Sequence, residues 1–335
     1  MKFTAKHFDP EARGGILQSD GRVAFRSGDR PEDLHVYDQK TILALNVALA
    51  TRRPLLISGE PGSGKSTLAR SAAAVLGWRY YKQMITSRTQ AADLLWKYDT
   101  LRRLSDAQNR KQMLLPNQYY VEPGSLWWAF DPITAAQRGS QVPTQPSQYV
   151  RDPDLGTNVT TRNNAVVLLD EIDKADPDVP NDLLEPFDLK EFTVRETSDR
   201  VSLTEDRDLL MILTTNGERE MPPAVLRRCV LLTLDSPDKE WFVAIADLRR
   251  GQQHHALHEA VAGAVMDLRQ AARKAFLREP STSEYLDALA ACDQLNIDTT
   301  SADWKNAKAW QEVRRTVLWK HSTEPKLDES EDESE

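Results

Sequence analysis

Apolar residues in this chain follow two rhythms. Up to about residue 237, short unbroken apolar runs alternate with stretches in which apolar positions recur every three or four residues; beyond it the second rhythm takes over. Residues 36–50 have helical spacing, and residues 54–58 form a short run that reads as a buried strand. A Gly-rich turn follows, then a helix over 66–76 stopped by Gly77, then a strand over 79–85. Residues 91–103 read as one helix, and 131–164, rich in Gly, Pro, Gln and Thr, as a long loop. Residues 166–169, 209–213 and 229–234 are further buried strands, while 192–194 and 201–203 alternate around a polar turn as a hairpin does. Strands alternating with helices predict an α/β fold with a parallel sheet flanked by helices, followed by a smaller α-helical domain. The expected segments are an irregular arm over 1–35, an α/β core over 36–237, a helical lid over 238–320 and a disordered acidic tail over 321–335. No internal repeat is present.

Composition narrows this picture only a little. A length of 335 residues suggests about two domains. No apolar run reaches the roughly 18 residues of a membrane helix, and the first residues lack the apolar stretch of a signal peptide, so a cytoplasmic protein without a membrane partner is expected. Cys229 and Cys292, in unrelated contexts, make neither a disulfide framework nor a zinc site. The net charge of −8 lies partly in the tail from Asp328 to Glu335, which repels itself and reads as solvated. No basic stripe stands out, so nucleic acid is not the expected partner.

Three strand ends carry the candidate chemistry. Gly59-Glu60-Pro61-Gly62-Ser63-Gly64-Lys65-Ser66 fits G-x-x-x-x-G-K-[ST] and lies between a predicted strand and a predicted helix, the context this phosphate loop requires. Its glycines let backbone N–H groups approach phosphate oxygens, and the helix through Ser66 and Thr67 adds its positive end. Lys65 is expected at the β- and γ-phosphates and the Ser66 hydroxyl at Mg²⁺. The run Val166–Leu169 ends in Asp170 and Glu171, the former expected to hold Mg²⁺ and the latter to polarise an attacking water as general base. The run 209–213 ends in Thr214-Thr215-Asn216, where a polar side chain can bond the γ-phosphate or the water. Arg227 and Arg228 then precede the last strand, and one of them is expected to stabilise transition-state charge in a neighbouring subunit. Val36 and Tyr37, ahead of the first strand, are the candidates for an adenine contact.

These elements, in this order, resemble AAA+ ATPases. The strings VVLLDEIDKADPDVPNDLLEPFD and LTTNGEREMPPAVLRRCV resemble the MoxR branch, as do the hairpin between Phe192 and Leu203 and the segment Glu122-Pro123-Gly124-Ser125-Leu126. The likeness covers about residues 35–320. It implies an ATP- and Mg²⁺-dependent hydrolase with a helical lid. It also implies a hexameric ring that remodels or assembles protein partners, often beside a protein with a von Willebrand factor A domain. The chain departs from the pattern in its longer 131–164 loop, and in Ser283, which stands where many AAA+ proteins place a phosphate-sensing arginine with Arg278 only nearby. The competing reading is a nucleic-acid-associated GTP or ATP motor of a restriction or defence system, which GTP preference or DNA-stimulated hydrolysis would reveal.

Other signals carry less. His254, His255 and His258 lack a following carboxylate or cysteine at ligand spacing and read as a helix face. Trp127 and Trp128 read as core, and Trp304, Trp310, Val313 and Val317 as one packed helical stripe.

Overall fold

The five expected core strands form one sheet in the computed structural model, which describes residues 7–30, 33–109, 114–139, 149–157, 159–301 and 303–321. They are β1 (Leu55–Ser58), β2 (Trp78–Met84), β3 (Thr161–Asp170), β4 (Leu209–Thr215) and β5 (Val230–Thr233), in the order β5-β1-β4-β3-β2. Every neighbouring pair is parallel, with Leu55 opposite Ile212 and Val166 opposite Leu210. A parallel sheet covered on both faces needs apolar strands throughout, and Ala165 to Leu169 are all fully buried. Helix α1 (Gln39–Thr51) begins where Asp38 accepts from the Thr41 amide at 2.6 Å. Residues 36 and 37, expected in that helix, instead end a strand, Leu34–Tyr37. Helix α2 (Lys65–Leu76) follows the phosphate loop and buries Leu68, Ala69, Ala72 and Ala73 completely.

By contact the chain divides into two units. One comprises residues 1–29, 37–58 and 65–233; the other comprises 30–36, 59–64 and 234–335, so the loop Gly59–Gly64 groups with the C-terminal helices. In the first unit three sequence readings change. The arm expected to be irregular contains a short antiparallel pair, Ile16–Leu17 with Val23–Arg26, and buries Phe8 against Tyr37. The helix expected over 91–103 is broken: Ala91–Leu95 and Thr100–Gln108 are helical, but Trp96–Tyr98 is a strand paired antiparallel with Val121–Pro123. Tertiary packing overrides helical spacing here, because Trp96 stacks on Phe192 at 5.8 Å and donates to Glu196 at 2.7 Å. The loop expected over 131–164 holds a helix at Pro132–Ala136 and the first four residues of β3; residues 140–148 and 158 lie outside the described set.

The hairpin forms as Glu191–Val194 against Asp199–Ser202, and its inner face is core: Val194 is fully buried and Phe192 meets Trp127 and Phe130. Trp127 and Trp128 are both buried.

The second unit is helical: α3 (Lys239–Arg250), α4 (His255–Lys274), α5 (Thr282–Gln294) and a last helix, Lys308–Val313, that runs into a π turn at Arg314–Leu318. Ser281 and Glu284 form a capping box at the start of α5. Trp304 and Trp310 pack at 4.7 Å. His255 and His258 both pair with Asp247 at 2.7 Å, and His258 is fully buried, more enclosed than its helix-face reading implied. Among the described residues no group of three or more His, Cys, Asp or Glu is placed to hold a metal ion, and no helix is long and apolar enough to cross a membrane. The acidic tail lies outside the described residues apart from His321.

Candidate nucleotide site

Buried β3 carries two carboxylates to its C-terminal end, the edge at which open α/β sheets place ligands. Asp170 is only 3% exposed, and three side chains converge on it. The Ser66 hydroxyl lies 2.8 and 2.9 Å from its two oxygens, the Thr214 hydroxyl donates at 2.7 Å, and the Lys82 ammonium sits at 2.8 Å. Burial alone would raise the Asp170 pKa; hydrogen bonds from Lys82, Thr214 and Ser66 outweigh it and hold the group below the usual carboxylate range. Ser66 and Asp170 supply hard oxygen donors of the kind Mg²⁺ takes. A cation, Lys82, already rests against that carboxylate, so the donor set fits the ion.

Glu171 turns away from the strand with φ 62° and ψ 51°, a left-handed conformation that costs a non-glycine residue about 1–2 kcal/mol. Its amide donates to Thr214 Oγ1 at 2.8 Å, so one buried hydroxyl fixes both acidic residues. Its carboxylate lies between Asn216 Nδ2 at 3.1 Å and Lys174 Nζ at 2.7 Å. That bond to Glu171 raises the Lys174 pKa. Buried Asp173 accepts from the amides of Asn216 and Glu218, both at 3.0 Å, and so holds the turn that presents Asn216. A cavity of about 410 Å³ opens beside Glu171, with Thr86, Ser87 and Glu218 in its wall.

In the second unit the phosphate loop has the shape its glycines permit: φ is 77° at Gly62 and 91° at Gly64, and the Ser63 amide bonds the Glu60 carbonyl at 3.2 Å. Gly62 is also required by contact, since a Cβ there would lie 2.5 Å from the Ser281 Cβ. Glu60 extends to Arg269 of α4, 2.8 Å away. Burial would raise the Glu60 pKa, but the bonds and charge of Arg269 outweigh it and lower the group. Ser283 adjoins Gly62, while Arg278 is exposed and bonded to Glu284 at 3.1 and 3.2 Å.

The structure thus brings Ser66, Asp170, Glu171 and Asn216 into one bonded set. Lys65 is 7% exposed at the start of α2, with Thr67 half-buried beyond it; Gly59, Pro61 and Ser63 complete the loop. Val36 and Tyr37 are both buried, and burial raises the Tyr37 hydroxyl pKa. Arg228 is bonded to Asp188 at 2.7 and 3.0 Å, whereas the Arg227 guanidinium is exposed and makes no bond among the described residues. Sequence reading missed Lys82, Asp173 and Lys174 around the acidic pair of the first unit, and Arg269 as the partner of Glu60 within the second. Asp173 and Lys174 stand next to a singled-out pair, but nothing local marks Lys82 or Arg269.

No curated protein matches the chain. Among solved structures, a RuvB point mutant from Thermotoga maritima is 15% identical over 78% of this chain and 70% of its own, with a TM-score of 0.39. A candidate ATPase from Cytophaga hutchinsonii is 15% identical over 82% and 79%, with a TM-score of 0.38. A family description, the AAA domain of the dynein-related subfamily, matches residues 54–229, more than half of the chain and the stretch from the phosphate loop to Arg228. The chain therefore belongs to the dynein-related subfamily of AAA domains, a family of P-loop ATPases.

Proposed function

We propose that this chain binds and hydrolyses ATP with Mg²⁺ as a MoxR-type AAA+ ring, hexameric, that remodels or assembles protein partners, one of them with a von Willebrand factor A domain. The observation that carries the hydrolytic part is the bond from Asn216 to Glu171 beside the Ser66–Asp170 pair. A general base needs a defined direction for its lone pair; Asn216 supplies it on one oxygen and Lys174 on the other. Glu171 accepts the proton of the attacking water, and Asn216, bonded to the same carboxylate, aligns that water with the γ-phosphate. Backbone amides of Gly59–Ser66 and the Lys65 ammonium hold the phosphates. Ser66 and Asp170 would hold Mg²⁺, which would supply neutralisation of charge on the phosphate oxygens. Arg227, exposed and with no bond to its guanidinium among the described residues, serves the site of the neighbouring subunit. The MoxR assignment and the partner class rest on the strings around Asp170 and Asn216 and on the hairpin Glu191–Ser202.

Glu171→Gln keeps the shape of the side chain but cannot take the proton. It should bind ATP as tightly as the unaltered chain and turn over about 10²–10⁴ times more slowly. Phosphate-release kinetics decide this, and turnover near the original rate would reduce Glu171 to a structural cap. The same variant, trapped with ATP, should sediment as a hexamer and retain its protein client; a monomer under ATP would overturn the ring.

A further inference from the structure

The motif G-x-x-x-x-G-K-[ST] makes no demand on the side chain at its second position, because backbone amides do the binding there. Here that position is Glu60, and its carboxylate meets Arg269 Nη2 at 2.8 Å. Arg269 is 1% exposed, too enclosed to meet a phosphate itself. It donates to the Pro280 carbonyl at 2.6 Å and the Ser236 hydroxyl at 2.5 Å, and pairs with Glu279 at 2.9 Å. Arg273 binds the same Glu279 at 2.6 Å and Ser236 at 3.1 Å, and the ring of Phe242 lies 5.8 Å from the Arg269 guanidinium. One buried guanidinium therefore joins the phosphate loop, the segment entering α3, helix α4 and the residue before the α5 cap. A second contact runs alongside: Ser281, the α5 cap, packs on Gly62 so closely that no Cβ fits.

We propose that Arg269 is a positioning residue for nucleotide binding: through Glu60 it holds the phosphate loop in its receptive shape. The proposal rests on the reading of that loop as the ATP site. A loop whose glycines adopt positive φ loses much conformational freedom on ordering. A partner that orders it beforehand removes that cost from the binding step, so its loss appears as weaker affinity. Ser283 carries no charge, so the lid's contribution to nucleotide binding is made by Arg269, acting on the loop from behind.

Glu60→Ala tests this cleanly, because Arg269 keeps its ion pair with Glu279 and its bonds to Pro280 and Ser236, and the helices keep their packing. Titration with a fluorescent ATP analogue should show about tenfold weaker binding, an ordinary effect of losing a charge-assisted bond, with the melting temperature of the nucleotide-free protein close to the original. Glu60→Gln, which retains one acceptor, should recover part of the loss. Arg269→Lys, which lacks the fork of donors that reaches Glu60, Ser236 and Pro280 together, should weaken binding similarly, and the double variant Glu60→Ala/Arg269→Lys should bind no worse than the poorer single one. Lys65→Ala, run in parallel, separates the two levels. If Lys65→Ala loses binding while Glu60→Ala binds as the original does, or if the two losses simply add, the positioning role is wrong. If Lys65→Ala still binds ATP, the reading of the loop falls, and this proposal with it.

Discussion

Arg269 and Arg227 carry the same charge in opposite settings. Arg269 lies among C-terminal helices, 1% exposed, with Glu60, Ser236, Glu279 and Pro280 each supplying it an oxygen. Arg227 ends the short helix Pro223–Leu226 ahead of β5, exposed, with no bond to its guanidinium among the described residues. A buried guanidinium is committed: desolvation makes it dependent on its acceptors, and it can act only through them. An exposed one with no partner among the described residues keeps its five donors for something beyond them. Arg228, one residue on, has already lost that freedom to Asp188. The neighbouring arginines are therefore not equivalent, although nothing in their order distinguishes them.

The largest effect expected from this contrast is on turnover. Arg227→Ala should lower ATP hydrolysis about 10³–10⁵-fold, the range seen when a trans arginine is lost in phosphoryl transfer, with the melting temperature unchanged. Arg228→Ala should cost far less, since its pair with Asp188 is exposed on both sides and worth about 0–1 kcal/mol. Lys65→Ala keeps Arg227 but lacks a working pocket, and Arg227→Ala keeps the pocket, so mixing the two with subunit exchange should restore part of the activity. Confirmed exchange without recovery would remove the shared site.

Stability comes next. Glu60→Gln alone should leave unfolding nearly unchanged, because Glu279 still neutralises Arg269. Glu60→Gln/Glu279→Gln leaves a buried guanidinium without a carboxylate and should cost about 3–5 kcal/mol, the usual penalty for an uncompensated buried charge. Denaturant titration of both single variants and the pair measures the excess; a purely additive result would mean that Arg269 is better hydrated than its enclosure implies. Thr214→Val sits one step lower. It keeps volume but strips the hydroxyl that joins Asp170 to the Glu171 amide, at about 1–3 kcal/mol. Thr214→Ser should restore most of the loss.

The sheet could be read from the sequence because four of its five strands contain a continuous apolar run, and buried parallel strands admit little else; only the edge strand β2 mixes Arg79, Lys82 and Gln83 with its aromatic residues. The phosphate loop and the Asp170-Glu171 pair were visible for a related reason: their residues are adjacent in the chain. Arg269 was not, since its bond to Glu60 spans 209 positions and both residues look like ordinary surface charges in a helix and a turn. Thr214 and Asn216 were visible as a polar strand end, but not their division of labour, which depends on their different partners at the end of β3: Thr214 bonds Asp170 and the Glu171 amide, and Asn216 bonds the Glu171 carboxylate. The helix expected over 91–103 failed at Trp96, where aromatic stacking on a hairpin nearly a hundred residues away outweighs local spacing. The strand pair in the N-terminal arm gave no alternating signal, because Ile16 and Leu17 are both exposed whereas Val23, Ala24 and Phe25 are all buried.

The smallest expected effect concerns pH and tests whether charge, rather than packing, holds the start of α5 beside Gly62. Glu284 is 6% exposed and accepts from the Ser281 amide at 2.9 Å, the Ser281 hydroxyl at 3.0 Å, Lys320 at 2.9 Å and Arg278 at 3.1 Å. Burial alone would raise its pKa; the bonds from Lys320 and Ser281 and the charge of Arg278 outweigh it, so the folded value lies below the ordinary one. A carboxyl whose folded pKa is depressed binds fewer protons in the folded state than in the unfolded state between those two values. Its stabilisation is therefore complete above about pH 4.3, the unfolded reference for Glu, and is lost as pH falls through the folded value. Lys320 and Arg278 are about half exposed, so solvent screens both and keeps the effect modest. Glu284→Gln removes the charge and keeps an acceptor for the Ser281 amide. At neutral pH it should unfold at a lower denaturant concentration than the original chain, and the gap should close as the pH falls below 4. A gap that stays constant across that range would assign the capping box to shape and neutral hydrogen bonds alone.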